Sequence, residues 1–400
     1  MNKVKLGDVA DVKLSNVDKK TKPNEMEVRL CNYTDVYKNW SIKNDMAGGF
    51  MIATCNENEL EKFLLKKGQV AITKDSETPD DIGVSAYIAE DFENVVLGYH
   101  LALITPFNDK LNGRFLNYYF HTKHLQSYFE NNAGGSGQRC SLSIDTIKEI
   151  PLFLPDIETQ SAIAGVLSSL DDKIALNNKI NKELEDLAKT IYDYWFVQNA
   201  DEKWEKKRIG ELIKKYTDNS LKIDAKNILK EGKHPVITQD VGDLIKGYTN
   251  EDNPISDLPA IVFGDHSCTL RYINFPFFRG ADGTQVLYFE NEETTLYVYF
   301  CIGKLIPNLP NFGKYERHFK YLKDFEIIIP SIHFLEKFNK TVSPIFNQIL
   351  KNRQESTHLA RLRDWLLPML MERVIAEDFS VVQQEGSREM LEIETKNKQI

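Results

Sequence analysis

A few short groupings of residues have the types and spacing that metal-dependent chemistry uses. Pro155-Asp156 and Asp171-Asp172-Lys173 follow the order of a nuclease motif, in which the carboxylates must converge on one metal ion. Asp171 and Lys173, however, fall within a regular heptad pattern, and Asp156 stands where a helix N-cap is expected. We therefore interpret these acidic residues as a helix cap and a solvated helix face.

Other candidate catalytic or metal-binding patterns are incomplete. His121 and His124 are spaced to share one face of a helix, but no cysteine or further histidine lies nearby to complete a metal site. Residues 308–312 (NLPNF) approach the Asn-Pro-Pro-aromatic motif of adenine methyltransferases but lack the second proline. P-loop and zinc-finger spacings are absent from the sequence. The sequence thus predicts neither catalytic residues nor a metal site.

A third kind of pattern suits contact with DNA. Residues 134–139 (GGSGQR) form a glycine-rich loop whose Arg and Gln could approach phosphates and base edges, although a plain surface loop has the same composition. In the second half of the chain, Asp265 and His266 could contact DNA or could instead stabilise a turn. The candidate DNA contacts in the first half are Lys74, Ser76, Thr78, Gly135, Ser136, Gln138 and Arg139. Those in the second half are His266, Arg271, Tyr272, Arg279, Thr284, Gln285, Lys314 and Arg317.

Length and composition limit the class of protein. The 400 residues suit two or three domains, and no apolar run approaches the roughly 20 residues of a membrane span. The net charge of −9 argues weakly against nucleic-acid binding, but phosphate contact requires a basic face rather than a basic total. Five scattered cysteines without a CxxC pair indicate a reducing compartment, so we expect a cytoplasmic protein.

The chain contains an internal duplication. Residues 5–9 (KLGDV) recur as 208–212 (RIGEL), and residues 150–196 match residues 325–371. Both longer segments begin with an apolar run that ends in proline, at Pro155 and Pro330, and continue as a long helical pattern. The sequence therefore encodes the same unit twice, a globular domain followed by a long helix.

This duplication predicts the organisation of the chain. We expect an α+β protein with two α/β domains, each built on a mixed or antiparallel sheet, separated by two long helices. The predicted segments are a first domain at 1–153, a helix at 154–199, a second domain at 200–329, a helix at 330–375 and a disordered polar tail at 376–400. Strands are expected at 69–73, 84–89, 101–105, 260–263, 286–289 and 325–329.

The two helices share a heptad pattern with one polar interruption. The seam positions, seven residues apart, are Ile163, Leu170, Asn177, Leu184 and Ile191, and then Phe338, Ile345, Asn352, Leu359 and Leu366. If the helices form an antiparallel coiled coil with a pseudo-twofold axis, Asn177 and Asn352 meet at the seam and set the helix register. Alternatively, both side chains lie at its edge and face water. An antiparallel pair of helices would hold the two domains a fixed distance apart. The same heptads would also suit a coiled coil that only dimerises the protein.

The segment IPLFLPDIETQSAIAGVLSSLDDKIALNNKINKELEDLAKTIYDYWF, at 150–196, resembles the conserved helical region of the specificity subunits of type I restriction–modification enzymes. Residues 204–212 (WEKKRIGEL) and 5–9 resemble the segments that open the two domains of that family. Residues 93–103 and 264–284 resemble parts of its target-recognition domains. The second helix departs from the pattern, because His333 and Leu335 stand where the first helix has Glu158 and Gln160.

The resemblance implies a non-catalytic subunit that binds double-stranded DNA. In the family, two target-recognition domains each read half of an asymmetric, interrupted site in the major groove, and the helices serve as a ruler and as the docking surface for two methyltransferase subunits. Motor-nuclease subunits then join, and S-adenosylmethionine, ATP and Mg²⁺ are used by these partners rather than by this chain. Two alternatives are a standalone methyltransferase or nuclease, whose motif is missing, and a scaffold that binds only protein.

Overall fold

The computed structural model describes residues 2–135, 139–201, 203–214, 222–280, 283–309 and 317–397, without the side chains of residues 2 and 372–397. The chain divides into two compact units. Unit 1 consists of residues 1–174 and 357–400, and unit 2 of residues 175–356. Each unit therefore combines one of the predicted globular domains with a stretch of both long helices.

Unit 1 contains a mixed α/β domain. Its strands are β1 (Asn2–Lys5), β2 (Ala10–Leu14), β3 (Met26–Cys31), β4 (Ser41–Ile42), β5 (Met51–Cys55), β6 (Val70–Thr73), β7 (Asp75–Ser76), β8 (Ser85–Ile88), β9 (Val95–Leu97), β10 (Leu101–Pro106), β11 (Gly134–Gly135), β12 (Cys140–Ser141) and β13 (Pro151–Leu154). Its helices are α1 (Leu6–Val9), α2 (Tyr33–Lys38), α3 (Glu57–Phe63), α4 (Gly113–Phe120), α5 (Lys123–Asn132) and α6 (Ile144–Lys148), followed by the long helix α7 (Ile157–Asp193).

The core of this domain is a five-stranded sheet in the order β2-β10-β6-β8-β4, which is antiparallel except for the β4–β8 pair. Because side chains alternate between the two faces of a strand, Val70 and Ile72 pack with the helices α4 and α5 on one side. Ala71, between them, packs on the other side with the three-stranded sheet β5-β3-β9. Both faces of the sheet are buried, which accounts for its nearly continuous apolar strands.

Unit 2 contains the second domain. Its strands are β14 (Glu205–Arg208), β15 (His234–Ile237), β16 (Gly247–Thr249), β17 (Ala260–Gly264), β18 (Leu270–Ile273), β19 (Phe278–Arg279), β20 (Thr284–Leu287) and β21 (Glu326–Ile329). Its helices are α8 (Ile209–Leu212), α9 (Glu293–Leu305) and α10 (Phe319–Asp324), and the long helix α11 (Ile332–Asn397) follows. The sheet β18-β17-β20 packs against α9 through Ile261 and Phe263, and Val262 on its other face packs with Ile237 of the sheet β16-β15-β19.

The predicted duplication is visible as a repeated structural frame. In unit 1, β1 pairs antiparallel with β13, and in unit 2, β14 pairs antiparallel with β21. Gly7 and Gly210 occupy equivalent places, since a Cβ atom at either glycine would lie 3.2 or 3.1 Å from the Cβ of Lys148 or Lys323, respectively. The repeated KLGDV and RIGEL segments thus form a tight turn of helix against the last short helix of each domain.

The first turn of α7 is anchored to its own domain by Gln160. Its amide accepts the backbone N–H of Asn112 at 2.9 Å and donates to the carbonyl oxygens of Lys110 and Pro155 at 3.0 and 2.9 Å. The equivalent residue of the second repeat, Leu335, is buried in the apolar core of unit 2. The departure between the repeats noted in the sequence therefore concerns how each helix attaches to its domain.

The long helices pack antiparallel, as predicted. Within unit 2, Asn177 contacts the chain near residue 355, whereas Tyr192, fifteen residues further on, packs against Phe338. Within unit 1, Ile163 and Leu167 share a core with Met371, which extends the same direction of packing.

A buried polar network crosses the seam within unit 2. The amide of Asn177, only 1% exposed, donates to Glu355 Oε2 at 2.8 Å and also contacts the Asn352 carbonyl and Ser356 Oγ at 3.4 and 3.3 Å. Asn352 donates to Asn181 Oδ1 at 2.8 Å. Residues 175 positions apart are equivalent in the two repeats, so Asn177 corresponds to Asn352 and Asn181 corresponds to Ser356. The Asn177–Ser356 contact and the Asn352–Asn181 contact are therefore equivalent and are related by a local twofold axis. The asparagines are thus inside the seam, as the register hypothesis requires.

Asp171 corrects one sequence interpretation. It was expected on a solvated helix face, but its side chain is only 16% exposed. One carboxylate oxygen accepts the hydroxyl of Tyr118 at 2.5 Å, and the other pairs with Arg363 at 2.7 Å. This carboxylate and the burial of Tyr118 raise the pKa of the Tyr118 hydroxyl. Asp171 therefore joins α4, α7 and α11, an arrangement that heptad spacing does not reveal.

The predicted polar tail at 376–400 falls on α11, which continues to Asn397, and residues 398–400 lie outside the described residues. Glu and Gln are the most frequent residues of this stretch, and both favour the helical backbone. The predicted strands are confirmed apart from shifts of one or two residues at their ends.

Asn177 gives the first testable prediction. Asn177→Ala should lower the free energy of unfolding by about 1–3 kcal/mol, because the buried Asn352 carbonyl and the Glu355 carboxylate lose a hydrogen-bond donor inside the seam. Asn178→Ala, at the adjacent exposed position, is the matched control. Urea unfolding of both variants measures the difference, and equal losses would show that the seam network contributes nothing.

Asp171 gives the second. Asp171→Ala leaves Arg363 and Tyr118 without their shared partner and should destabilise unit 1 by about 2–4 kcal/mol. The neighbouring Asp172, whose side chain is 59% exposed and 3.8 Å from Arg114, provides the control. Asp172→Ala should cost below about 1 kcal/mol in the same urea titration. A loss for Asp171→Ala as small as this would contradict the junction role.

Candidate nucleic-acid interface

Two segments of unit 1 that were predicted to contact DNA lie side by side. Strand β7 pairs with β12, and β12 pairs with β11, so Ser76 and the glycine-rich loop belong to one small sheet. Gly135 is required in this hairpin, because a Cβ there would lie 2.2 Å from the backbone oxygen of Arg139. Ser136 and Gln138 lie outside the described residues.

The small sheet borders a cavity of about 330 Å³. We call its lining surface 1: Tyr33, Tyr37, Asp75, Ser76, Glu77, Asp81, His100 and Arg139. Arg139 and Glu77 are exposed, and the remaining side chains are half-buried or only just exposed. The surface therefore combines a guanidinium, hydroxyl groups, carboxylates and aromatic rings around one concave site.

Lys74 stabilises surface 1 from within. Its ammonium donates to Asp75 Oδ2 at 2.9 Å and lies 4.9 Å from the centre of the Tyr99 ring. The same carboxylate oxygen lies 2.9 Å from His100 Nδ1. Lys74 thus orients Asp75, and its charge is already partly neutralised. Thr78 is exposed at the edge of the surface, and its N–H donates to Ser76 Oγ at 3.4 Å.

Tyr33 and Tyr37 belong to surface 1 but were missed in the sequence. They lie four residues apart on α2, and their rings stack with centroids 5.6 Å apart and planes inclined by 17°. The Tyr37 hydroxyl donates to Asp81 Oδ1 at 2.9 Å, which raises the pKa of Tyr37. The i, i+4 spacing of two tyrosines was the available signal, since such residues share a helix face.

In unit 2, Arg271 holds a loop. Its side chain is buried, and its guanidinium donates to the carbonyl oxygens of Asp240, Asp243 and Leu244, each at 2.6 Å. Three satisfied hydrogen bonds to backbone leave this group poorly placed to grip a base.

Tyr272, the next residue on β18, points to the opposite face of the strand. It packs against Tyr299 and Phe346, with ring centroids 6.0 and 4.8 Å away. Burial raises the pKa of its hydroxyl. Arg271 and Tyr272 therefore do not form one contact set, because adjacent strand residues face opposite sides of the sheet.

A second concave surface forms where β17 ends and β20 begins. His266 is exposed there, and its backbone N–H donates to Gln239 Oε1 at 3.1 Å. Gln239 and Thr284 line a cavity of about 330 Å³ together with Asp240 and Lys246. We call His266 and these four cavity residues, Gln239, Asp240, Lys246 and Thr284, surface 2. Gln239, Asp240 and Lys246 were not singled out in the sequence, where nothing links residues 239–246 to residues 266–284.

Asp265 is a turn residue, which was the alternative considered for it. It is buried, and its side-chain Oδ1 accepts the N–H of Phe319 at 2.9 Å. Its carbonyl accepts the N–H of His318 at 2.8 Å. These bonds tie the start of α10 to the end of β17 and bring the exposed Arg317 next to surface 2.

The remaining predicted contacts of unit 2 are less accessible. Arg279 ends β19 in register with Ile237, and its carbonyl accepts the N–H of Ile223 at 3.0 Å. Gln285 lies opposite Phe263 in the β17–β20 pair. Both side chains are half-buried. Lys314 lies outside the described residues.

The nuclease-like carboxylates do not form a metal site. Asp156 Oδ1 accepts the N–H of Thr159 at 2.7 Å, and this bond lowers the pKa of Asp156, as expected for a helix cap. Asp171 is engaged with Tyr118 and Arg363. Within the described ranges, no three His, Cys, Asp or Glu side chains are grouped so that they could hold a metal ion. No helix among them is long and apolar enough to cross a membrane.

Comparison with known proteins agrees with this architecture. A family model described as the type I restriction modification DNA specificity domain matches residues 1–186. The specificity subunit of the type I restriction enzyme MjaIX from Methanocaldococcus jannaschii is 27% identical over 303 residues, which are 66% of this chain and 69% of the relative. The HindI specificity subunit from Haemophilus influenzae is 31% identical over 137 residues, 34% of this chain and 29% of the relative.

The fold is also shared with a solved structure. The type I restriction–modification S subunit from M. genitalium superposes with a TM-score of 0.60 at 19% identity, and the match covers 92% of this chain and 95% of that one. The matching family model and both relatives are those of type I restriction specificity subunits, and this chain is similar to these proteins.

Proposed function

We propose that this chain selects the DNA site of a type I restriction–modification complex, with each unit reading one half of a bipartite, asymmetric sequence. One observation carries the proposal. The same frame, an antiparallel pair of the first and last strands, occurs in both domains. Each domain also carries one concave surface whose polar groups are held by hydrogen bonds to the backbone or to one another. Preorganised polar groups of this kind are what base-edge recognition in the major groove requires.

The two surfaces differ in chemistry, which favours unlike half-sites. Surface 1 offers the Arg139 guanidinium beside the carboxylates of Glu77 and Asp81. Surface 2 offers the amide of Gln239 beside the ion pair of Lys246 and Asp240, and the exposed His266 lies in the adjoining turn. Arginine donates to guanine, carboxylates accept from amino groups, and an amide carries one donor and one acceptor, so the two surfaces present different arrangements of donors and acceptors to the bases. The asymmetric site expected from the family is consistent with this difference.

Among the predicted DNA contacts, the accessible ones remain proposals. In unit 1 they are Ser76, Thr78, Gly135 and Arg139, and in unit 2 they are His266 and Arg317, whereas the buried Thr284 and the half-buried Gln285 remain sequence-based expectations. Arg279 is kept as a weaker candidate, and Ser136, Gln138 and Lys314 remain sequence-based expectations. We assign Lys74, Arg271 and Tyr272 to support of the surfaces.

The catalytic steps would belong to partner subunits. We propose that two methyltransferase subunits and the motor-nuclease subunits carry S-adenosylmethionine, ATP and Mg²⁺, in the cytoplasm where the DNA lies. The long helices offer a docking face in each unit, because they expose large apolar side chains: Val166, Leu362, Trp365 and Met369 in unit 1, and Leu176 and Leu187 in unit 2. Exposed apolar patches of this kind mark protein–protein contacts.

The function is tested by methylation mapping in cells that express the chain with its methyltransferase subunit. One bipartite motif is expected. Arg139→Ala should relax base choice in one half of the motif by roughly 10-fold, and His266→Ala should weaken only the other half. Loss of selectivity in the same half for both variants would contradict two independent reading units.

Footprinting of the purified complex supplies the control for this experiment. Two protected patches on one duplex are expected. A complex that assembles but protects no methylated motif would favour the protein-only scaffold, whereas methyl transfer by the chain alone would favour the enzyme alternative.

Trp365 tests the docking face. It is 59% exposed on α11, and Trp365→Ser should weaken binding of the methyltransferase subunit by roughly 30-fold, because a buried tryptophan contributes about 2 kcal/mol or more to an interface. Tyr99→Ser removes an equally exposed aromatic residue of the first domain and is the control. Calorimetric titration should show an unchanged affinity for the control. Equal affinities for both variants would place the docking face elsewhere.

A further inference from the structure

Gln239 is held more firmly than an ordinary surface glutamine. It follows β15, and its backbone carbonyl accepts two hydroxyl groups, Ser267 Oγ at 2.5 Å and Thr269 Oγ1 at 3.0 Å. Its side-chain Oε1 accepts the backbone N–H of His266 at 3.1 Å. Both ends of the residue are therefore fixed to the turn that follows β17.

Two glycines make room for this side chain. A Cβ on Gly283 would lie 1.9 Å from Gln239 Nε2, and a Cβ on Gly264 would lie 3.0 Å from Gln239 Cβ. Any larger residue at position 283 would displace the amide group. The amide thus packs against the backbone of Gly283, and Gln239 lines the 330 Å³ cavity of surface 2.

The hydrogen bond from His266 fixes which way the amide faces. A backbone N–H can only donate, so the amide oxygen has to point toward His266 and the NH₂ group has to point away from that bond. Among the described residues, none accepts a hydrogen bond from Gln239 Nε2, and Gln239 lines the cavity of surface 2. The N–H of His266 occupies the amide acceptor, so the donor is the group left for a ligand of this cavity.

This orientation changes the base that a glutamine can read. A glutamine usually binds adenine in a bidentate manner, accepting from N6 and donating to N7, and that mode requires the amide oxygen. A donor alone matches best an edge whose groups are all acceptors, which are O6 and N7 of guanine or O4 of thymine, whereas adenine places its N7 acceptor beside an amino group. The N6 amino group of adenine would instead face the NH₂ group, donor against donor.

We propose that Gln239 is a specificity-determining residue of unit 2 and that it donates its amide NH₂ to guanine or thymine at one position of the half-site. The proposal rests on the proposed function, since it concerns the base chosen within the site that this unit reads. It assigns a role to a residue that was not among the sequence-based candidates.

The decisive variant is Gln239→Glu. Glutamate is isosteric and keeps an oxygen for the N–H of His266, but it replaces the donor with an acceptor. Methylation mapping of cells that express the variant with the methyltransferase subunit should show one altered position. That position should hold guanine or thymine in the wild-type motif, and its preference should shift by roughly 10-fold toward adenine or cytosine, which offer amino groups.

Asn250→Asp is the matched control. Asn250 is an exposed amide of the same unit whose Oδ1 also accepts a backbone N–H, from Lys233 at 3.1 Å, and it lies outside surface 2. The control adds the same charge, and its motif should be unchanged. Gln239→Ala provides a second variant, which should relax the same position without the shift toward amino-bearing bases.

The outcomes separate the inference from the proposed function. An unchanged motif for Gln239→Glu, adenine at the affected wild-type position, or a uniform loss at all positions would overturn the role of Gln239. The uniform loss would indicate a structural clamp only. Absence of any sequence-specific methylation by the wild-type complex would overturn the proposed function itself.

Discussion

The pairing of the first strand of each domain with its last strand is the constraint on which the rest depends. In unit 1, Lys5 lies opposite Pro151, although nearly the whole domain separates them in the chain. In unit 2, Arg208 lies opposite Glu326 in the same way. Each domain therefore begins and ends at one place, and α7 or α11 starts within a few residues of that place. The loops that carry the two surfaces can vary because the frame does not depend on them.

The two copies of the frame attach to the long helices by different interactions. Unit 1 uses a polar junction, in which Asp171 accepts from Tyr118 and pairs with Arg363. Unit 2 uses packed aromatic rings, with Tyr192 and Phe338 at the centre. Both solutions bury the contact, but the polar one depends on complete hydrogen bonding. After duplication, the backbone frame was retained while the chemistry of attachment diverged.

Cationic residues are a poor guide to DNA contact in this chain. Arg271 donates to three backbone carbonyls, and Lys74 is paired with Asp75. Such groups stabilise loops, because a buried or half-buried cation needs partners to offset its lost hydration. The exposed Arg139 and Arg317 remain available to a ligand. With a net charge of −9, the DNA binding that we propose would depend on a few placed groups rather than on overall attraction.

The sequence by itself determined the repeat, the two long helices and their matched asparagines, because heptad periodicity and repeated segments are properties of neighbouring residues. The burial of Asn177 and Asn352 inside an antiparallel seam came from the tertiary structure. The sequence also determined most strands, whose apolar runs reflect burial on both faces of a sheet. Only the tertiary structure decided which polar groups act together. Gln239 meets His266, and Asp171 meets Tyr118 and Arg363, through contacts between segments distant in the chain. Hydrogen bonding between such segments depends on three-dimensional packing, which spacing along the chain does not encode.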